Sequence, residues 1–376
     1  MIDSKSMTVE TLAVTVSREA FADRLAVVAR GVSSRTAVLV LGGIHLRAAD
    51  GQLALAATDM ELSLRASLDA SVGGAGEVVV PGRLLLDIVR GLPAAEVELV
   101  HHPEESTLTI TSGASSYRIH THAAEDFPRL PDVSAIELSS IDRDALLETI
   151  NRVGRSASRD DSRPVLTGVL VRFEGGRLVM AATDSYRLAV KETAAGTGLP
   201  DMEAIIPARA LQELARVGAP ADAVLLGLQD NQVVFGVDGV WLTTRRIDGQ
   251  FPNYRQLLPE QFEHEVSLPR GELLDVVRRV SLMAQRNSPL RLSFTEGSLT
   301  ISAQTLDVGE SRESLAAPFS GEPLDIGFNA EFLRDGIDSV DSETVRLKLI
   351  SPLRPAVIEG DDDGYTYLIM PIRLAG

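Results

Sequence analysis

Apolar and polar positions along the chain recur with two periods. Phe21, Leu25, Val28 and Val32 fall at i, i+4, i+7 and i+11, which places one apolar stripe on a helix of 3.6 residues per turn. Residues 44–47 (Ile-His-Leu-Arg) and 53–55 (Leu-Ala-Leu) instead alternate with period two around Asp50-Gly51, the pattern of two strands joined by a tight turn. A second helix is predicted just after Pro81, because a proline has no N–H to lose in a first helical turn and its fixed φ suits that turn. Further alternating runs follow, so the local plan is helix, strands, helix, strands.

That plan recurs when the chain is laid on itself with a shift of about 125 residues. LALAATDMELSLRA at 53–66 matches LVMAATDSYRLAVKE at 178–192, aligning Thr58-Asp59 with Thr183-Asp184. VVVPGRLLLDIVRGLP at 78–93 matches AIIPARALQELARVGAP at 204–220, so Pro207 repeats Pro81, and Asp126-Phe127-Pro128 matches Gln250-Phe251-Pro252. A fainter third copy keeps the order: a helical stretch from Leu268, a strand from Leu299 and a second helical stretch from Asn329. Three copies predict an α+β protein with about six helices and many antiparallel strands. The expected domains are 8–135, 136–262 and 263–376, with boundaries near residues 131–136 and 259–265, and residues 1–7 are expected to be a disordered extension.

Composition narrows the chemistry. Cysteine is absent, which excludes disulfides, thiolate metal sites and a cysteine nucleophile. His101-His102 and His120-Thr121-His122 lack carboxylates at ligand spacing and read as structural, and Asp361-Asp362-Asp363-Gly364 reads as a hairpin turn rather than a calcium loop, so neither a metal nor a cofactor is expected. No apolar run is long enough to span a bilayer and residues 1–10 are polar, which predicts a cytoplasmic protein with no membrane partner. Asp59 and Asp184 could pair as catalytic carboxylates, but they occupy one repeat position and so belong to different copies. No phosphate-binding loop or nucleophile elbow accompanies them. A repeat-built protein scaffold is another reading.

The net charge of -17 argues against a nucleic-acid partner until its distribution is considered. Lysine occurs only at 5, 191 and 348, so nearly every cation is an arginine, the side chain best shaped for phosphate oxygens. In the predicted helices arginines outnumber carboxylates, and the acidic excess falls in strands and loops. Arg83 and Arg90 lie opposite Leu84, Leu85 and Ile88 on the helical wheel, and Arg209 and Arg216 lie opposite Leu211 and Leu214, a repeated Pro-x-Arg-x6-Arg. In the third copy Glu331 and Asp338 stand at those places. A stripe of arginines without aromatics suits sequence-independent, salt-sensitive contact with duplex phosphates, not stacking on a single strand.

The segments ATDSYRLAV (182–190), DGQFPNYRQLLP (248–259), IGFNAEFL (326–333) and YLIMPIRL (367–374), in that order on a threefold repeat, resemble the bacterial DNA polymerase III beta subunit family, the sliding clamps. The resemblance covers essentially the whole chain after Met7. It implies the DNA-clamp fold, three similar domains each with two helices packed on antiparallel sheets, and a ring-shaped head-to-tail homodimer with helices inside. Twelve helices spaced about 9 Å apart give a bore of roughly 25 Å, wide enough for a hydrated duplex.

The function implied is a processivity factor with no catalysis of its own. Its implied partners are the replicative polymerase, clamp loader, translesion polymerases and mismatch-repair proteins, held through short peptides. By the same resemblance the peptide pocket falls on Arg163, Leu166, Thr183, Ser185, Tyr186, Arg187 and Leu188, on Pro252 and Leu257, on Asn329 and Phe332, and on Met370, Pro371, Ile372 and Arg373. Leu, Pro, Met and Ile would form an apolar floor, with Arg163, Arg187 and Asn329 holding peptide carbonyls or a glutamine side chain. Ser185 stands where the family often has glycine, Val165 where an aromatic is common, and Leu353 and Pro355 on a side that varies. Arg35 joins Arg83, Arg90, Arg209 and Arg216 as an implied DNA contact. The implied subunit contact pairs residues 117–120, with Tyr117 and Ile119, against 299–304, with Leu299 and Ile301, while Leu282 and Met283 pack nearby.

Overall fold

The structure is a computed structural model that describes residues 11–33, 38–133, 136–196, 201–217, 223–229, 231–284, 288–305, 307, 309–361 and 364–374. The expected extension at 1–7, Arg35, and Asp362 and Asp363 of the acidic turn lie outside the described residues. Seven helices occur among those described: α1 (Arg18–Val28), α2 (Gly82–Gly91), α3 (Arg143–Val153), the single turn α4 (Pro164–Thr167), α5 (Ala208–Val217), α6 (Arg270–Val280) and α7 (Ala330–Asp338). Apart from α4 these are two per copy. Their sequences hold twelve arginines against eleven carboxylates, so the helices are nearly neutral and the acidity is carried elsewhere.

The six longer helices each bury a set of apolar residues. Phe21, Leu25 and Val28 of α1 are buried, as the spacing predicts. On α2 the buried positions are Gly82, Leu85 and Val89, while Leu84 is 48% exposed, so the apolar face is rotated from the one expected to include it. Pro81 ends a strand and occupies the cap position, one residue before the first turn.

The strands form four antiparallel sheets that do not follow the repeats. One compact unit comprises residues 1–140 and 216–245, the other residues 141–215 and 246–376. In the first unit the copy-one strands Gly43–Ala49, Gln52–Thr58, Leu62–Asp69 and Gly76–Pro81 join the copy-two strands Leu138–Asp142, Ala223–Gln229, Gln232–Val237 and Val240–Arg245 in an eight-stranded sheet. The seam pairs Leu62 with Thr244 and Ala66 with Val240. In the second unit the remaining copy-two strands join copy-three strands in another eight-stranded sheet, whose seam pairs Arg187–Ala194 with Tyr365–Ile369. A repeat that pairs across its own boundary buries strand edges which each copy alone would expose.

Two smaller sheets complete the units. The first unit has the order Ser71–Gly74, Ala13–Ser17, Glu96–His102, Thr107–Ser112, Ser115–His120, and the second has Gly309–Ala316, Ser298–Thr305, Leu290–Thr295, Leu324–Phe328. Strand alternation is clear where one face is buried: in Leu62–Asp69 the positions from Leu62 onward alternate between buried and half-buried. Helix α7 packs close to its sheet because Gly336 lets it. A Cβ there would lie 2.6 Å from the Tyr367 ring.

Candidate peptide-docking site

The site begins with a turn that the repeat writes twice. Thr183 donates its hydroxyl to the Arg187 carbonyl at 2.7 Å and accepts the Ser185 N–H at 3.1 Å. Asp184 Oδ1 accepts the N–H groups of Tyr186 and Arg187 at 2.9 and 3.0 Å. Thr58 and Asp59 make the same bonds to Leu62, Met60 and Glu61. The residue after the Asp takes a left-handed conformation in both copies, φ +81° at Ser185 and +80° at Met60, which explains why glycine suits this position. Thr183 is thus part of the frame and does not line the pocket, contrary to the expectation, because its buried hydroxyl is consumed by the turn. Leu188 is likewise corrected. It is 1% exposed and packs in the core with Leu170, Val179 and Phe251.

The turn pushes Tyr186 outward, 62% exposed, and draws Arg187 inward, 5% exposed. The Arg187 guanidinium donates to Asp184 (Nε, 3.0 Å), Asp335 (Nη1, 2.8 Å) and the Arg155 carbonyl (Nη2, 2.6 Å), and lies 4.2 Å over the Phe332 ring. Burial opposes its charge, but Tyr367 and the Asp335 and Asp184 carboxylates outweigh burial and hold its pKa above the ordinary value. Three of its donors are committed, so Arg187 is a wall and a brace. It was expected to reach for peptide carbonyls, and these three bonds leave only two of its five donors for that.

Beside this turn a cleft of about 330 Å3 opens between Tyr186, Arg187, Arg163 and Phe332 on one side and Ser158, Arg159, Asp160 and Glu331 on the other. Arg163 is held by Asp160 (Nε, 3.1 Å) and Ser185 (Nη1, 3.1 Å) and remains partly exposed. Asp160 accepts two bonds from Ser162, and those bonds lower its pKa. Residues 158–160 and Glu331 were missed in the sequence. The signal available was the Ser-Arg-Asp-Asp-Ser-Arg-Pro run before α4, a stretch of turn formers with a proline at the helix start.

Of the other expected members, Met370 meets this turn. The Met370 N–H donates to the Tyr186 carbonyl at 2.8 Å, leaving Met370 40% exposed beside it, and the Ile372 N–H donates to the Gly327 carbonyl at 2.7 Å. Asn329 caps α7 by accepting the Phe332 N–H, which leaves its amide hydrogens for a ligand. Leu257 and Pro252 are exposed, Leu166, Pro371 and Ile372 half-buried, and Arg373 exposed. Among the described residues no group of three or more His, Asp or Glu could hold a metal ion.

Three family models match the chain end to end: the N-terminal domain of the DNA polymerase III beta subunit over residues 12–131, the central domain over 140–253 and the C-terminal domain over 255–373. The chain belongs to the DNA polymerase III beta subunit family. Among curated relatives it is 35% identical to the beta sliding clamp of Streptomyces coelicolor, covering 96% of this chain and all of that one. It is also 32% identical to the beta sliding clamp homolog GriR of Streptomyces muensis, covering 95% and 98%. Among solved structures it resembles the DNA polymerase sliding clamp of Bacillus subtilis (TM-score 0.90, 26% identity, covering 97% and 100%). It also resembles the Pseudomonas aeruginosa DnaN sliding clamp bound to griselimycin (TM-score 0.87, 29% identity, covering 96% and 100%).

For this family member the arginines and sheet edges can now be placed. Arg83 and Arg90 are exposed on α2, and Arg209 and Arg216 on α5. In the third copy Asp338, at the end of α7, does not leave its surroundings acidic. Arg155 contacts it at 2.8 Å, Arg278 at 3.5 Å and Arg270 at 3.7 Å, and these cations outweigh burial and lower its pKa. Three arginines therefore offset this carboxylate, which the sequence did not reveal.

At the sheet edges one expectation fails. Leu299 and Ile301 are fully buried on Ser298–Thr305, an interior strand, and the edge belongs to Gly309–Ala316. Ser115–His120 is an edge strand as expected, with Tyr117 42% exposed, but Ile119 is buried under it. Leu282 is 78% exposed and Met283 half-buried. Among the described residues no helix is long and apolar enough to cross a membrane.

Proposed function

We propose that the chain is a DNA polymerase processivity factor, a homodimeric ring that encircles duplex DNA in the cytoplasm and tethers its partners by short peptides. What supports the DNA part is one observation: a chain of net charge -17 puts arginines at equivalent exposed positions of equivalent helices, α2 and α5. Phosphates are then attracted to the helix side and repelled elsewhere, so contact is sequence-independent and weak enough to slide. The three copies, 8–135, 136–262 and 263–376, are the domains in this reading, with Arg35, Arg83, Arg90, Arg209 and Arg216 the contacts, joined by Arg155 of copy two and Arg278 of copy three beside Asp338. Loading the protein on nicked circular DNA with its loader and then linearising the DNA should release it. Retention after linearisation means ordinary binding and rejects the ring.

The peptide is held in this reading by an exposed apolar surface made of Leu166, Pro252, Leu257, Met370, Pro371 and Ile372, with Tyr186, Arg163, Asn329 and Arg373 as its polar rim. Thr183, Ser185, Arg187, Leu188 and Phe332 support it from behind. The replicative polymerase, clamp loader, translesion polymerases and mismatch-repair proteins compete for this one surface.

The subunit contact pairs the edge Ser115–His120 of one protomer with the edge Gly309–Ala316 of its partner, covering both. Leu282 packs against the partner there, which accounts for so exposed an apolar side chain. Leu282→Asp should therefore convert the dimer to a folded monomer in sedimentation equilibrium. An unchanged dimer would move the interface elsewhere.

A further inference from the structure

A cleft of about 580 Å3 lies in the first unit. Strand register explains why it exists. On one face of the eight-stranded sheet Arg47 sits opposite Ala54 and Glu77, Ala54 opposite Ser67, and Ala56 opposite His45 and Arg65, which in turn sits opposite Trp241. Small side chains make the floor, and long ones at either side make the walls.

The second copy has the same face, and there it is filled. Positions 45, 56, 65 and 79 of copy one correspond to Leu170, Ala181, Val190 and Ile205, which are buried in an apolar cluster beneath the chain's own Phe251 and Tyr254, with Leu258 and Phe262 packed against it. In copy one Phe127 repeats Phe251 and stacks on His45 at 5.1 Å, but Leu130 stands where Tyr254 would be. Arg65, standing where copy two has Val190, is tied to the Pro131 carbonyl. Of the two rings that cover copy two, Phe251 has its counterpart in Phe127 and Tyr254 has no aromatic counterpart in copy one.

Charge departs in the same place. Arg172 of copy two is satisfied by Glu203 at 2.7 Å. Its equivalent, Arg47, lies opposite Glu77, yet Glu77 pairs with His45 at 3.2 Å, and Arg47 is exposed with no ion-pair partner among the described residues. Arg129 is exposed at the lip.

We propose that this groove is a second docking site, distinct from the Tyr186 cleft, for a partner protein's segment that carries an aromatic side chain flanked by carboxylates. The aromatic ring packs beside Leu130, against Ala54, Ala56 and Trp241, and supplies the cover that Tyr254 gives copy two. A carboxylate supplies Arg47 with the partner that Glu203 is to Arg172. Such a segment binds independently of the Tyr186 site, so one clamp could hold two contacts of one partner, or two partners, at once.

The chain's only tryptophan, Trp241, lines this groove and makes the test specific. The probe is the peptide acetyl-Asp-Phe-Pro-Asn-Tyr-Asp-amide, with Trp241 emission excited at wavelengths tyrosine does not absorb. The expected result is a saturable change that persists in Tyr186→Ala and weakens about tenfold in Arg47→Ser, as loss of one charge-assisted contact implies. The same peptide with lysines for aspartates should not bind. No saturable change, equal affinity in Arg47→Ser, or equal binding of the lysine peptide would each overturn the proposal. A failure of the Tyr186 reading would appear only with partner peptides on the Tyr186→Ala protein and leaves this measurement unaffected.

Discussion

Arg187→Ala should lower the free energy of unfolding by about 3 kcal/mol or more, the scale seen when one partner of a buried ion pair is removed. The guanidinium joins Asp184, Asp335 and the Arg155 carbonyl, and truncation leaves two largely buried carboxylates and a carbonyl without their donor while removing the cation over Phe332. Peptide binding should fall as a consequence, through loss of the frame that presents Tyr186. Arg187→Lys should land between, since an ammonium keeps a charge near the carboxylates but cannot hold three acceptors in the fork geometry. Tyr186→Ala is the matched contrast. Its ring is 62% exposed, so stability should stay within about 0.5 kcal/mol of the parent while partner-peptide affinity collapses. Urea titrations of the three variants decide the matter: if Arg187→Ala unfolds at the parental midpoint, the brace assigned to Arg187 does not exist.

The same residue shows what the sequence could and could not reveal. That position 187 departs from the repeat was legible, since copy one has Leu62 there. That the side chain points inward was not legible, because its acceptors Asp335 and the Arg155 carbonyl come from distant parts of the chain, and burial of an arginine depends on where its acceptors fold. Periodicity found the helices because one apolar stripe per helix is a local signal, as at Phe21, Leu25 and Val28. Leu84 was misplaced because a wheel gives the stripe's spacing and not its exact rotation against the sheet.

The edge strand was misassigned for a related reason. Leu299 and Ile301 alternate as an edge or an interior strand would, and only pairing with Gly309–Ala316 distinguishes the two. The groove beneath Trp241 went unseen because its walls come from strands of two copies, Leu62–Asp69 and Val240–Arg245, and because its character is an absence of cover that shows only beside the filled face of copy two.

Arg83→Glu with Arg90→Glu should weaken DNA association most at low salt and flatten its dependence on salt. Each arginine that neutralises a phosphate releases condensed counterions, so losing two contacts should reduce the slope of log affinity against log salt by about 1.8 per chain. Reversal adds repulsion of its own, and loading on circular DNA should fall further than with the alanine pair. Neither residue touches the core: Arg83 and Arg90 are exposed, and the buried face of α2 is Gly82, Leu85 and Val89, so folding and partner-peptide binding should be unchanged. Arg177→Glu supplies the control, because that arginine is 71% exposed but lies on a strand rather than on a repeated helix. If net charge alone governed association, Arg177→Glu would cost half as much as the double reversal. If the α2 arginines contact phosphate directly, it should cost almost nothing, and only the double variant should change the slope. A slope that moves equally per charge in both proteins would remove the helices from the DNA face, since a residue that contacts phosphate and one that does not cannot respond alike to counterion release at a duplex.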